Sequence, residues 1–388
     1  MTTQAPVSSF DITYQQPGIA GGIRVAAALH RDRLELRLST GVLAAFFAFP
    51  QLGRPHFPEA GNGSDPVMVL GPDRVTVTVV GLPSESAELV RAALADRIAL
   101  VASGDPTTVI PLELGSSTPV DGGVGFPLLG RPAERQLYDV ALRAGTVGWE
   151  VVAPHAVYYR STWTDFGLAH ITDTHVARRI DSFRPTLRDL GLTEAAARMC
   201  NMNDQFRGFV SFANRLHAAG ELDVIVATGD LIDYVHETDD DREGLGNAGF
   251  LRDLILGRAP GPDWPTVEEL RVPILMTPGN HDYRRHPYHL VFDVNLGGQD
   301  VKRVRNFSEL ALLEREAMAL TNTLYFPGAT EVPNLGKSAA TAMVEIDPTL
   351  RAFRQALADP GPHVARLGKH RVVLVDSAHD VGMPDSAT

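Results

Sequence analysis

The chain of 388 residues contains a single cysteine, Cys200. That excludes an intrachain disulfide and a cysteine-rich zinc site, and it fits a reducing compartment. Positive charge is also scarce: 35 Lys and Arg stand against 47 Asp and Glu, a formal net charge of -12. Phosphate backbones are held mainly by Lys and Arg, so general nucleic-acid binding is excluded, whereas a nucleotide-sized substrate held through metal ions is not. Long apolar runs are missing, and the longest, residues 41–50, is far too short to span a bilayer. Residues 1–17 have neither a basic n-region nor an apolar h-region, so the expectation is a soluble, cytoplasmic protein with no membrane partner. Internal repeats and low-complexity tracts are absent. What remains, 44% hydrophobic and 21% charged residues, is the composition of an ordinary folded protein, and the length predicts two or three domains.

Residues 1–160 predict a β-rich, sandwich-like domain. Residues 33–38 alternate charged and apolar, the pattern of a strand with one wet face, and residues 74–80 and 137–142 are similar. Gly and Pro clusters punctuate the region, as short strands joined by turns require. One helix is expected at 84–99. No titratable cluster with ligand spacing occurs here, so the expected role is structural or substrate-framing. Residues 149–163 read as a bridge to a second domain, 161–388, where strands alternate with helices. The clearest helix covers 203–219. Phe206, Phe209, Val210, Ala213 and Leu216 share one face, and Gly220 sits where a terminating glycine belongs. Further helices are expected at 308–320 and 348–358, and residues 371–376 read as a buried strand.

Three short segments of this second domain carry the chemistry. Each follows an apolar run of strand type: 166–171 leads into Asp173 and His175, 224–227 into Asp230, and 273–276 into Asn280 and His281. Loops at the carboxyl ends of strands in an open α/β sheet converge on one crevice. If strand geometry continues past Ile171, Asp173 and His175 point the same way and grip one ion. Gly229 lets the backbone approach an ion or phosphate closely, and the carboxylate of Asp230 can bridge two cations. Asn280 offers a neutral oxygen. A mixed N/O set without thiolate suits Mn, Fe or Zn better than Ca. Two ions about 3.5–4 Å apart would hold a bridging hydroxide and clamp an in-line phosphoryl displacement. His281 is the expected proton donor to the departing oxygen, with Asp282 beside it to orient the ring. Taken singly, Asp173, His175 and Asp230 are better explained by capping or turn chemistry after strands, and Asn280 has a left-handed turn residue as its alternative; the run Asp239, Asp240, Asp241 reads as a solvated face.

Asp173-x-His175, Gly229-Asp230 and Gly279-Asn280-His281-Asp282, in that order, resemble the calcineurin-like metallophosphoesterases. The resemblance covers residues 166–376 and implies an α/β metallophosphoesterase fold of layered sheet and flanking helices. It implies two divalent or trivalent metal ions (Mn, Fe or Zn), with Asp173 and His175 on the first, Asp230 bridging, Asn280 on the second, and His281 acting on the leaving group. The implied activity is hydrolysis of a phosphate mono- or diester, a small molecule or nucleotide, by a metal-bound hydroxide. The β-rich part is similar in placement to the immunoglobulin-like domains that precede some members.

The family pattern continues with an isolated histidine and then Gly-His-x-His, and this chain has no Gly-His-x-His. After His281 only His286, His289, His363, His370 and His379 remain. His379, just past the strand at 371–376, is the nearest stand-in ligand; His370 sits at the opposite end of that strand. His286 and His289, with Arg284 and Arg285, read either as a solvated basic loop or as contacts to a substrate phosphate. The expectation is therefore a phosphoesterase domain lacking its C-terminal part. The alternatives are an impaired fragment or pseudoenzyme acting as a binding protein, and a site completed by another chain.

Overall fold

A computed structural model describes residues 8–14, 23–29, 33–38, 41–46, 50–58, 68–69, 79–80, 87–114, 118–120, 123–125, 128–130, 132–144, 148–189, 191–235, 245–283 and 352–376. β1 (Ser8–Tyr14), β2 (Ile23–Leu29), β3 (Arg33–Leu38) and β4 (Gly41–Phe46) pair in that order as an antiparallel meander. The alternation read in β3 is realised: Leu34 and Leu36 are buried while Arg37 is exposed. β5 (Met68–Val69) and β6 (Val79–Val80) precede α1 (Ala87–Leu94), β7 (Ile98–Ala102) and β8 (Asp105–Pro111). Then come β9 (Glu113–Leu114), β10 (Thr118–Val120), β11 (Gly123–Gly125), β12 (Leu128–Gly130), β13 (Gln136–Ala144) and β14 (Gly148–Tyr159). β14-β13-β7-β8 form a second four-stranded antiparallel sheet, and the short strands make two small ones. One core joins Val25, Leu34 and Leu36 of the meander, Val90 and Leu94 of α1, and Leu100, Tyr138 and Val157 of the second sheet.

Two expectations are corrected here. The helix at 84–99 stops at Leu94, because the run from Ile98 to Ala102 is a strand buried along its whole length. A short continuous apolar run has no period to separate strand from helix. Nor is 149–163 a linker for most of its length. Residues 149–159 are the body of β14, in register with β13 from Gln136↔Tyr159 to Ala144↔Gly148.

The second unit is an α/β layer. β15 (Leu168–Thr172), α2 (Ile180–Asp189), α3 (Thr193–Arg198), α4 (Met202–Ala218), β16 (Val224–Thr228), α5 (Gly246–Ile255) and β17 (Ile274–Thr277) alternate along the chain. The three strands are parallel, in the order β15-β16-β17. Asn201 caps α4 by accepting from the N–H groups of Asn203 and Asp204. The apolar face of α4 packs as its spacing predicts, with Phe206, Val210 and Ala213 buried and Phe209 and Leu216 at the margin. β16 is buried on both sides. Ile225 and Ala227 face α4 and α5, and Val224 and Val226 face the other way.

That other face is covered by an antiparallel hairpin, β18 (His363–Leu367) and β19 (His370–Leu374). Ala365, Leu367 and Leu374 pack on Val224, Val226 and Leu275. Residues 371–376 are thus not a buried strand of the parallel sheet. They alternate: Leu374 is buried, Val373 and Val375 are exposed. His370 rests on the Phe166 ring, at 5.4 Å between centroids. Residues 352–356 are helical within the helix expected at 348–358. The expected helix at 308–320, the basic loop at 284–289 and His379 lie outside the described residues.

The two units interlock. Leu52 sits in the α/β core, and the Gly53 carbonyl accepts from Met276 N at 2.9 Å. A Cβ on Gly53 would stand 2.9 Å from Met276 Cβ, so only glycine fits this approach. At the amino ends of β15 and β16, buried Asp223 accepts from Gly167 N at 3.0 Å and pairs with Arg135 and Arg160 of the first unit. The carboxyl ends of these strands stay clear of those contacts. Among the described residues no helix is long and apolar enough to cross a membrane.

Candidate metal centre

Thr172, Thr228 and Thr277 lie side by side in the strand register, so all three parallel strands end at one level. The loops that follow turn immediately. Strand geometry does not continue past Ile171 into the Asp173 loop as the sequence reading assumed: Asp173, His175 and Asp230 all have positive φ, at 54°, 43° and 46°. Left-handed backbone is uncommon for residues with a Cβ, least so for Asp. Neighbouring loops hold it in place. Asp173 N donates to Gly229 O at 3.2 Å, His175 N to Asp230 O at 2.9 Å, and Gly229 N to Thr277 O at 2.9 Å. Gly279 is obligatory, since a Cβ there would lie 2.2 Å from Asp230 N.

This turn chemistry brings three of the expected residues together. Nitrogen or oxygen atoms of His175, Asp230 and His281 lie within 4.8 Å of one another. His175 Nε2 is 3.9 Å from Asp230 Oδ2 and 3.9 Å from Asp173 Oδ1. The His175 and His281 rings meet edge to face at 4.4 Å. Asp230 Oδ1 is occupied by His281 N at 2.9 Å, which leaves Oδ2 toward the cluster. Asp173 stands at the exposed rim, its Oδ2 accepting from Thr172 Oγ1 at 2.6 Å. Asn280 is exposed and lines, with Asp173 and Asp230, a cavity of about 480 Å³.

Asp282 is placed differently from expectation. It is 1% exposed, and its carboxylate accepts from Gly279 N at 2.7 Å, Ile232 N at 2.9 Å and Leu231 N at 3.2 Å. It staples the loop after β17 to the loop after β16 and does not orient the His281 ring. Burial pushes its carboxyl up to about 7, against the pull of those three N–H groups. The ring partner is Asp233, which sequence reasoning missed. His281 Nδ1 is 3.0 Å from Asp233 O and 3.2 Å from Asp233 Oδ1, and His175 Nδ1 is 3.8 Å from the same Oδ1. Burial alone would raise Asp233, but its contacts with His175 and His281 bring it down to about 2. Asp233 in turn raises His175. The available signal was a second carboxylate three residues after Asp230, close enough to return to the same loop.

The donor set suits a divalent cation. Two donors each about 2.1 Å from one ion lie roughly 3–4 Å apart. The 3.9 Å separations from His175 Nε2 match that and exceed hydrogen-bond range. The family model described as calcineurin-like phosphoesterase matches residues 166–362, just over half of the chain. That span includes every residue of the cluster and stops before the hairpin. No curated protein and no solved structure matches the chain. With the matched span, the three strand-end loops and the His–Asp–His cluster in agreement, the chain belongs to the calcineurin-like phosphoesterase family.

Proposed function

We propose that this protein hydrolyses phosphate mono- or diesters of small molecules or nucleotides at a centre of two metal ions. The observation that carries the reading is the convergence of His175, Asp230 and His281 at the ends of three parallel strands, with Asp173 at 3.9 Å. Asp173, His175, Asp230 and Asn280 are the residues we assign to hold Mn, Fe or Zn, with Asp230 shared between ions. Bound cations supply Lewis acidity toward the phosphoryl oxygens and the attacking water. The chain's own groups do the rest. Asp233 fixes the Nδ1 side of His281, and Nε2, on the opposite side of the ring, is the atom we assign to give a proton to the departing oxygen. Asp282 holds the two loops at their spacing. We read the two four-stranded N-terminal sheets, which share a core with α1, as a sandwich that supports the α/β unit from below.

The proximity of His281 to Asp230 and His175 favours a second role for His281, as a metal ligand. One experiment separates the readings. The 388-residue chain is loaded with Mn²⁺, analysed for metal, and assayed on aryl phosphate mono- and diesters, alongside Asp230→Asn and His281→Gln. We expect two ions per chain and turnover that Asp230→Asn abolishes. If His281→Gln loses turnover but keeps both ions, it is the proton donor; if it loses an ion, it is a ligand. Unchanged turnover in Asp230→Asn, or metal binding without turnover of any ester, would overturn the hydrolase in favour of a binding protein on this scaffold.

A further inference from the structure

The crevice has a second wall that the metal ligands do not use. Beside Asp173, Asp230 and Asn280, the cavity is bordered by Val373, Leu374 and Val375 of the hairpin. Leu374 points into the core against Val226 and Leu275 and is 4% exposed. Its neighbours are turned outward: Val373 is 62% exposed and Val375 59%. Val364 lies directly opposite Val373 in the hairpin register and is 48% exposed. The three valines form one contiguous strip that begins at the cavity. The exposed cross-strand pair Arg366 and Arg371 bounds it at the other end. Single apolar residues on a surface need no explanation; what sets these apart is that Val373 and Val375 line the same cavity as Asp173, Asp230 and Asn280. The wall facing it is of opposite character, with the strand-end residues Thr172, Thr228 and Thr277.

We propose that the substrate of this crevice is a phosphoester of an apolar alcohol. Its phosphoryl group lies at Asp173, Asp230 and Asn280, and its hydrocarbon portion runs out along Val373, Val375 and Val364. The proposal rests on the phosphoesterase reading and adds the chemical class of the alcohol. A polyhydroxylated alcohol would set its hydroxyls against the valines and lose hydration without gaining partners. A hydrocarbon chain covers the strip and removes both apolar surfaces from water.

Alkylphosphonates test this without requiring turnover, because their P–C bond is not an ester. Methyl-, butyl- and hexylphosphonate are titrated calorimetrically into the Mn²⁺-loaded chain. Kd is expected to fall about twofold per methylene, since one wall buries only part of each group, or about 30-fold from methyl to hexyl. In Val373→Thr/Val375→Thr, which keeps β-branching and shape, that length dependence drops by half or more. Val373→Thr alone gives an intermediate slope and guards against a folding defect in the double variant. Binding of all three phosphonates with equal Kd, or a slope unchanged in the double variant, overturns the proposal and leaves the phosphoesterase reading standing. No binding of any phosphonate, methylphosphonate included, removes that reading and the proposal with it.

Discussion

At the scale of single residues the site separates two carboxylates that adjacency confuses. Asp282 follows His281 in sequence, yet the 3-10 turn at His281–Tyr283 sends their side chains to different places. Asp282 goes inward to three backbone N–H groups, while Asp233 arrives from the β16 loop to meet the ring. Opposite outcomes follow on substitution. Asp233→Asn should lower kcat of the metal-loaded chain by about 10²-fold, with ion stoichiometry unchanged, because the His281 ring loses the carboxylate that holds its Nδ1 side. Asp282→Asn should instead cost about 1–3 kcal/mol in urea unfolding, because Asn turns an N–H donor toward N–H groups that need acceptors. A loss of turnover at full stability in Asp282→Asn would restore the role read from adjacency. Asp173, His175, Asp230 and Asn280, the residues we propose as ligands, were legible as candidates because each stands just past an apolar run. Asp233 was not, because its function depends on where a turn returns it.

At the scale of elements, local pattern succeeds where the period is clean. α4 was legible in its apolar face and in Gly220, whose φ is 83°, but not in its Asn201 cap. α5 was not, since it begins at Gly246 without a side-chain cap and is buried on most of its surface. The hairpin was half legible. Residues 371–374 of the expected run 371–376 are strand, but their partner β18 lies across a two-residue turn and not in the parallel sheet. This hairpin brings a pH-sensitive joint. Burial, with Arg54 nearby, pushes the His363 imidazole down to about 4, whereas an unfolded histidine titrates near about 6.5. Between those values the unfolded chain binds a proton that the folded chain does not, so stability falls as pH falls through that window. Urea midpoints measured at pH 7 and pH 5 should differ less in His363→Gln than in the parent. Equal differences would show that His363 does not titrate on unfolding.

At the scale of the whole molecule, Leu52, Gly53, Arg135 and Arg160 tie the β-rich part to the α/β part. The change of pattern near residue 160 is what suggests a two-part organisation in the sequence. The interlock was invisible, because residues 50–58 carry no signal that they leave their own unit for the core of the other. Asp223 is the central link. It is 1% exposed and receives Arg135, Arg160, Gly167 N and, at 3.3 Å, the Tyr158 hydroxyl. Breaking a buried ion pair by removing one partner costs about 3–5 kcal/mol. Asp223→Asn should therefore lower the unfolding free energy by roughly that amount and split one cooperative transition into two, seen as tryptophan fluorescence and far-UV circular dichroism that no longer coincide. A single transition of unchanged midpoint would show that the units stand independently.

The left-handed backbone at Asp173, His175 and Asp230 has a consequence for how such a protein can change over generations. Each position would relax as glycine, and strained conformations of this kind cost on the order of 1–3 kcal/mol apiece. Selection for heat resistance alone would favour glycine at these three places and would remove the side chains we propose as ligands.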